Sequence, residues 1–164
     1  YGSIYAFKGE FDNPYYQGSI HKLCPLDERF DKAYFISLIR NLKKDISAKA
    51  LLATEQRIPG LGNGVCQDIL FNARISPKRK ISTLSEEDID RLFNTVKSTL
   101  EEMTCQGGRD TEKDLYGALG NYRTILSKNT YHAPCPICGE RIQKEAYLGG
   151  SIYYCPHCQP SAVN

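Results

Sequence analysis

The sequence has no tryptophan, one methionine, and no apolar run approaching the roughly 18 to 20 residues that a membrane-crossing helix requires. No basic-then-apolar stretch ending in a small-residue cleavage site opens it either, so the expectation is a soluble cytoplasmic or nucleoid-associated protein and not a membrane one. An excess of one charge is also missing. Lys and Arg number 21 against 19 Asp and Glu, a formal +2, so nucleic-acid binding has to be argued from local clusters and not from overall charge. No internal repeat suggests a solenoid. At 164 residues there is no room for a long multi-domain enzyme, only for one domain or for two small ones if the second has a staple other than an apolar core.

What is present is an ordinary globular balance, 41% hydrophobic and 24% charged, together with seven cysteines. The chain opens on Tyr1 in a stretch that already reads as structured, which suggests processing or an excerpt. Residues 1–23 are rich in Tyr, Phe and Ile around Gly9 and Asp12-Asn13-Pro14, the composition of short strands joined by turns. From Asp27 the period changes, with Phe30, Tyr34, Phe35, Leu38, Ile39 and Leu42 on one helical face. A short helix over Ala48–Gln56 stops at Pro59-Gly60-Leu61-Gly62-Asn63. A third begins after Asn63, as its cap, and ends before Pro77; it carries Val65, Ile69, Leu70 and Ala73. Ser85 caps a fourth whose first turn is acidic and whose apolar face runs from Ile89 to Met103. Residues 106–134 lose periodicity and read as a long loop or irregular strands.

Cys135-Pro-Ile-Cys138 and Cys155-Pro-His-Cys158 give two knuckles with a 16-residue spacer. Two thiolates three residues apart can reach one ion from a tight turn, and two such knuckles on the arms of a hairpin complete a tetrahedron suited to one structural Zn²⁺. Gly139 fits a left-handed knuckle turn and Gly149-Gly150 the hairpin turn. Disulfides and a redox or iron–sulfur role are the alternatives. His132 and His157 are read as solvated or supporting, and Cys24, Cys66 and Cys105 as structural thiols.

Gly60 and Gly62 permit close approach of a ligand, and the helix after Asn63 presents free amides to an anion. Lys49 precedes this turn; Arg74, Lys78, Arg79 and Lys80 follow the third helix as a basic cluster. In the glycine-flanked stretch, Arg109, Tyr122 and Arg123 could enter a groove or stack on a base, while Arg109 could equally pair with an acid.

Glu55-Gln56-Arg57-Ile58-Pro59-Gly60-Leu61-Gly62-Asn63 and the helix to Phe71, followed by Ser76-Pro77, resemble the helix-two-turn-helix of the formamidopyrimidine-DNA glycosylase and endonuclease VIII family. CPICGERIQK to YYCPHCQ is similar to that family's C-terminal zinc finger. The resemblance implies a mainly α fold: strands left from a truncated β-sandwich at 1–23, a helix-two-turn-helix domain at 24–105, a loop like the one that covers an everted base at 106–129, and a four-cysteine finger at 130–164. It implies binding of duplex DNA with damaged or abasic sites, in base-excision repair, with Lys49, Gly60, Gly62, Asn63, Arg109 and Tyr122 as contact candidates. The family's glycosylase and lyase chemistry uses an N-terminal proline beside a glutamate, and that pair is absent here, so no catalytic residue is expected in the chain and inactivity alone is. The arginine that the family places on the finger hairpin corresponds to Gly150. A monomer is expected, with the orphan strands as an edge for pairing between copies. A zinc-stapled RNA-binding or protein-interaction module is the competing class.

Overall fold

The computed structural model describes residues 6–161. Its first element is α1, Pro14–His21, where strands were expected. Asn13 accepts the Tyr16 amide at 3.2 Å and Pro14 takes the first helical position, so capping overrides the aromatic composition. Among the described residues, 6–23 hold no strand; residues 1–5 of the expected sandwich remnant lie outside the description. The edge-pairing expectation therefore loses its basis within 6–23.

Four helices follow where periodicity placed them. Helix α2 spans Lys32–Arg40 and is capped by Asp31, which accepts the Tyr34 amide at 2.7 Å. Helix α3, Ala48–Ala53, ends sooner than the predicted Gln56 because Glu55 and Gln56 both adopt positive φ, +56° and +47°. Helix α4 is Asn63–Asn72, and α5, Glu86–Cys105, starts in a capping box in which Ser85 and Asp88 satisfy each other's amides. Phe30, Phe35, Leu51, Leu52, Ile69, Leu70, Leu92 and Val96 close a core between these helices, each at most 1% exposed. Packing of this apolar face, and not helix propensity, holds elements as short as α3.

The chain ends in an antiparallel hairpin, β1 Gln143–Tyr147 and β2 Gly150–Tyr154, with Tyr147 opposite Gly150. It is the one sheet among the described residues. Phe71 on α4 packs with Leu126, Ile142, Tyr153, Cys135 and Cys155 in a second small core. Helix α4 is thus shared by both cores, which fixes the finger against the helical unit.

Candidate nucleic-acid interface and metal centre

Two tight turns join α3 to α4. In the first, Arg57 N–H reaches Thr54 O at 3.3 Å across Glu55-Gln56; in the second, Leu61 N–H reaches Ile58 O at 3.4 Å across Pro59-Gly60. Proline then glycine at φ +83° makes the second a type II turn, whose third residue needs positive φ. Arg57 locks the first: one guanidinium nitrogen donates to Ala50 O, Thr54 O and Thr54 Oγ1, and another pairs with Glu55 at 2.5 Å.

This geometry exposes the start of α4. The N-cap is Gly62, which has no side chain to offer, so the predicted cap at Asn63 is displaced by one residue. Cys66 N–H closes the first turn onto Gly62 O at 3.1 Å, leaving the amides of Asn63, Gly64 and Val65 without intrahelical acceptors. No acid lies in that turn, and Asn63 and Gly60 are exposed. The positive end of the helix dipole therefore faces solvent uncompensated.

The hairpin is stitched to this corner. Asn63 Nδ2 and Gln67 Nε2 both donate to Ser151 O, at 3.1 and 2.9 Å, and Tyr153 N–H donates to Gln67 Oε1 at 3.1 Å. Lys49, 2% exposed, donates from Nζ to Tyr147 O at 2.5 Å, and burial lowers its affinity for a proton despite the opposing effect of Cys66. Lys49 thus lies beneath the hairpin and not on open surface. A Cβ at position 150 would approach Asn63 Nδ2 to 3.3 Å, so the absence of a side chain there lets the hairpin lie close on α4.

The loop from 106 to 129 folds onto the same helix. Asp68, fully buried, accepts the amides of Ile125 at 3.0 Å and Leu126 at 2.8 Å as well as the Tyr122 hydroxyl. Burial pushes the Asp68 carboxyl up, against those donors and Arg109. Burial, then Asp68, also raises the Tyr122 phenol. Tyr122 is 3% exposed, so the structure places this candidate under the loop, while Arg123 is exposed. Arg109 is buried as well. It pairs with Glu112 at 2.8 Å, and its guanidinium lies against Gly64 where a Cβ would collide with it. Its Nε and Thr111 Oγ1 have no hydrogen-bond partner. Both line a cleft of about 320 Å³ with Asn63, Gln67, Lys128 and Ser151.

Gly64, Gln67 and Asp68 were missed from sequence. The two polar residues lie within an apolar helical run, and that interruption was the available signal.

The basic cluster after α4 is largely spent on internal contacts. Arg79, 4% exposed, pairs with Asp88 at 2.7 Å and donates to Thr83 O; Lys78 pairs with Glu145; Lys80 reaches Asp45 O at 3.4 Å. Arg74 alone of the four is exposed with no such contact in the described residues.

The cysteines resolve differently from one another. Sγ atoms of Cys135, Cys138, Cys155 and Cys158 all lie within 4.8 Å of one another, with Cys135···Cys158 at 3.8 Å and Cys138···Cys155 at 3.5 Å. Ligands about 2.3 Å from a tetrahedral ion stand about 3.8 Å apart, so the donor set fits one soft cation. Disulfides, at about 2.05 Å between sulfurs, are not formed. Burial pushes the Cys135 thiol up, but the Cys138 and Ile137 amides outweigh it and bring it to about 7. Gly139 has φ +76°, as the knuckle requires. The His132 ring lies tilted against that of Tyr131 with centroids 3.8 Å apart, and His157 is exposed; neither joins the cluster. Cys66 is 1% exposed, the buried thiol expected, and burial pushes it up to about 12, which makes it inert; Cys24 and Cys105 are exposed.

Two tight turns delivering a helix N-terminus, with a four-cysteine hairpin clamped beside it, define a helix-two-turn-helix protein with a finger. The formamidopyrimidine-DNA glycosylase H2TH domain family matches residues 23–114, more than half of the chain, and the chain belongs to that family. The chain is similar to formamidopyrimidine-DNA glycosylases from Pelotomaculum thermopropionicum (36% identical over 138 residues, 82% of this chain and 49% of that protein) and Listeria innocua (34% over 146 residues, 86% and 53%). Among solved structures it resembles the MutM (Fpg) protein of Thermus thermophilus, with TM-score 0.75, 28% identity, and coverage of 86% of this chain and 54% of that one. It also resembles Lactococcus lactis Fpg in complex with DNA containing an abasic site, with TM-score 0.75, 26% identity, and 90% and 54% coverage. The chain spans about half the length of these curated relatives. No helix among the described residues is long and apolar enough to cross a membrane.

Proposed function

We propose that this chain is the DNA-binding half of a base-excision repair glycosylase, holding duplex DNA at a damaged or abasic site. The observation that carries the reading is the convergence on the start of α4 of the uncapped amides, exposed Asn63, the hairpin stitched to Asn63 and Gln67, and the cleft beside Arg109 and Lys128. A phosphate at that helix end would meet free N–H groups and the positive dipole together. Asn63, with the backbone of Gly60 and Gly62, forms the contact surface. Lys49 supports it from behind, adding charge and fixing the hairpin. Arg109 and the loop that Asp68 pins form the wall against which a displaced nucleotide would rest, with Tyr122 supporting that wall from within.

The metal is Zn²⁺, one per chain, held by Cys135, Cys138, Cys155 and Cys158; a closed four-thiolate shell is structural and holds the hairpin's two knuckles together. No proline in the sequence is followed by glutamate, so the family's imine-forming pair is not supplied by these residues. Borohydride is expected to trap no DNA adduct of this chain.

The test is Asn63→Ala combined with Lys49→Ala, assayed by fluorescence anisotropy on a duplex with a tetrahydrofuran abasic analogue. Loss of one charge-assisted contact and one nearby cation is expected to weaken binding about tenfold or more and to flatten the salt dependence. Undiminished binding overturns the phosphate-site assignment.

A further inference from the structure

The hairpin tip carries a residue that neither folding nor the phosphate site explains. Leu148 and Gly149 have φ of +50° and +73° and are flanked by the paired Tyr147 and Gly150, a two-residue type I′ turn that favours Asn-Gly. A leucine there is strained, because its Cβ crowds the following carbonyl in left-handed backbone. Burial does not compensate, since Leu148 is 51% exposed. Uncompensated strain of this kind concentrates at functional positions.

The tip is also held in place, with basic side chains in excess around it. Lys49 bonds Tyr147 O on one side of it, and Asn63 and Gln67 bond Ser151 O on the other. The Lys49 and Lys78 ammonium groups lie 5.9 and 6.0 Å from the Tyr147 ring centroid. Tyr147 and Leu148 form one wall of a cleft of about 520 Å³ whose charged lining is Lys44, Arg57 and Lys80 against Asp45 and Glu55, a basic excess. An apolar point beside a surface on which basic residues outnumber acids matches a polyanion with apolar sugar and base edges inside its charged backbone.

We propose that Leu148 is the residue with which the hairpin contacts the sugar and base edges of duplex DNA beside the lesion, an apolar wedge where Gly150 offers no side chain for a phosphate. The inference rests on the DNA-binding reading above, because the tip continues that surface from Asn63.

Leu148→Asn suits the turn and keeps the fold while deleting the apolar contact. With the full chain and the tetrahydrofuran duplex, affinity is expected to fall about 5- to 10-fold, as for loss of a partly buried leucine. The slope of log K against log salt should stay unchanged, since no phosphate contact is removed. Leu148→Gly should show the same loss, which guards against a new hydrogen bond from asparagine, and Leu148→Met should restore wild-type affinity. Wild-type affinity in both the Asn and Gly variants overturns the wedge and leaves the DNA-binding reading standing. A loss accompanied by a flatter salt slope also overturns it, by showing an ionic role. If the wild-type chain shows no salt-dependent binding, the DNA-binding reading fails and the wedge with it.

Discussion

Replacing Asp68 tests how the loop at 106–129 is attached to α4. Its carboxylate takes the Ile125 amide at 3.0 Å, the Leu126 amide at 2.8 Å and the Tyr122 hydroxyl, from a site with no solvent exposure. A hydrogen bond to a charged group contributes about 1.5–3 kcal/mol, and a stranded buried amide costs about 1–3 kcal/mol. Against this stands the cost of burying the carboxylate, the same effect that pushes its pKa up. Water can reach the half-buried Ile125 amide once the loop loosens, but the Leu126 amide is covered. The net expectation for Asp68→Ala is a loss of about 2–4 kcal/mol. Asp68→Asn keeps one acceptor and turns a donor toward the other amide, so it should lose about 1–2 kcal/mol. Urea unfolding measures both, and hydrogen exchange at Ile125 and Leu126 reports the anchor directly. A change below about 0.5 kcal/mol in Asp68→Ala, with exchange at both amides unaltered, would refute the anchoring role.

Removing the metal should melt the hairpin first: one zinc per chain is expected, and a chelator should abolish the Asn63 and Gln67 bonds to Ser151 while leaving the helical core folded; intact hairpin signals without metal would contradict this. Burial pushes Asp88 up, but the Ser85 amide, Arg79 and Arg91 outweigh it and hold its carboxyl below the ordinary 3.8. A depressed folded-state pKa contributes stability that is present above 3.8 and lost as pH falls through the lower value, so the wild-type should lose stability there more steeply than Asp88→Asn. At neutral pH Asp88→Asn should be less stable by about 3 kcal/mol, because Arg79 stays buried without its partner; equal acid limbs in the two proteins would be the contrary result. Gly150→Arg places a cation at the hairpin position where the family has one, at the cost of a small shift of Asn63, and should tighten binding to the abasic-analogue duplex and steepen the salt slope by about one phosphate contact. No gain would show that the corner is already closed to phosphate from that side.

Much of the helical unit was legible because its signals are local. Ser85 and Asp31 cap their own helices, and the apolar faces of α2 and α5 repeat at helical spacing. The cysteine knuckles were equally legible, since four ligands at fixed spacing leave few arrangements. Helix α1 was not, because the Tyr, Phe and Ile around it read as strand and only Asn13-Pro14 signals a helix start. The basic cluster misled for the opposite reason. Asp88 and Glu145, which neutralise Arg79 and Lys78, lie 9 and 67 residues away and cannot be paired from sequence. Gln67 and Asp68 likewise acquire their meaning only when the hairpin and the loop, more than 50 residues on, fold against α4.

On the proposed reading, the start of α4 and the clamped hairpin together hold a lesion-bearing duplex. Titrating the wild-type, zinc-loaded chain into a tetrahydrofuran-containing duplex and into the same duplex undamaged, across a range of salt concentrations, tests it most directly. Tighter binding to the lesion duplex is expected, with log K falling linearly against log salt at a slope set by a few phosphate contacts. Equal affinity for both duplexes, or binding indifferent to salt, would contradict it.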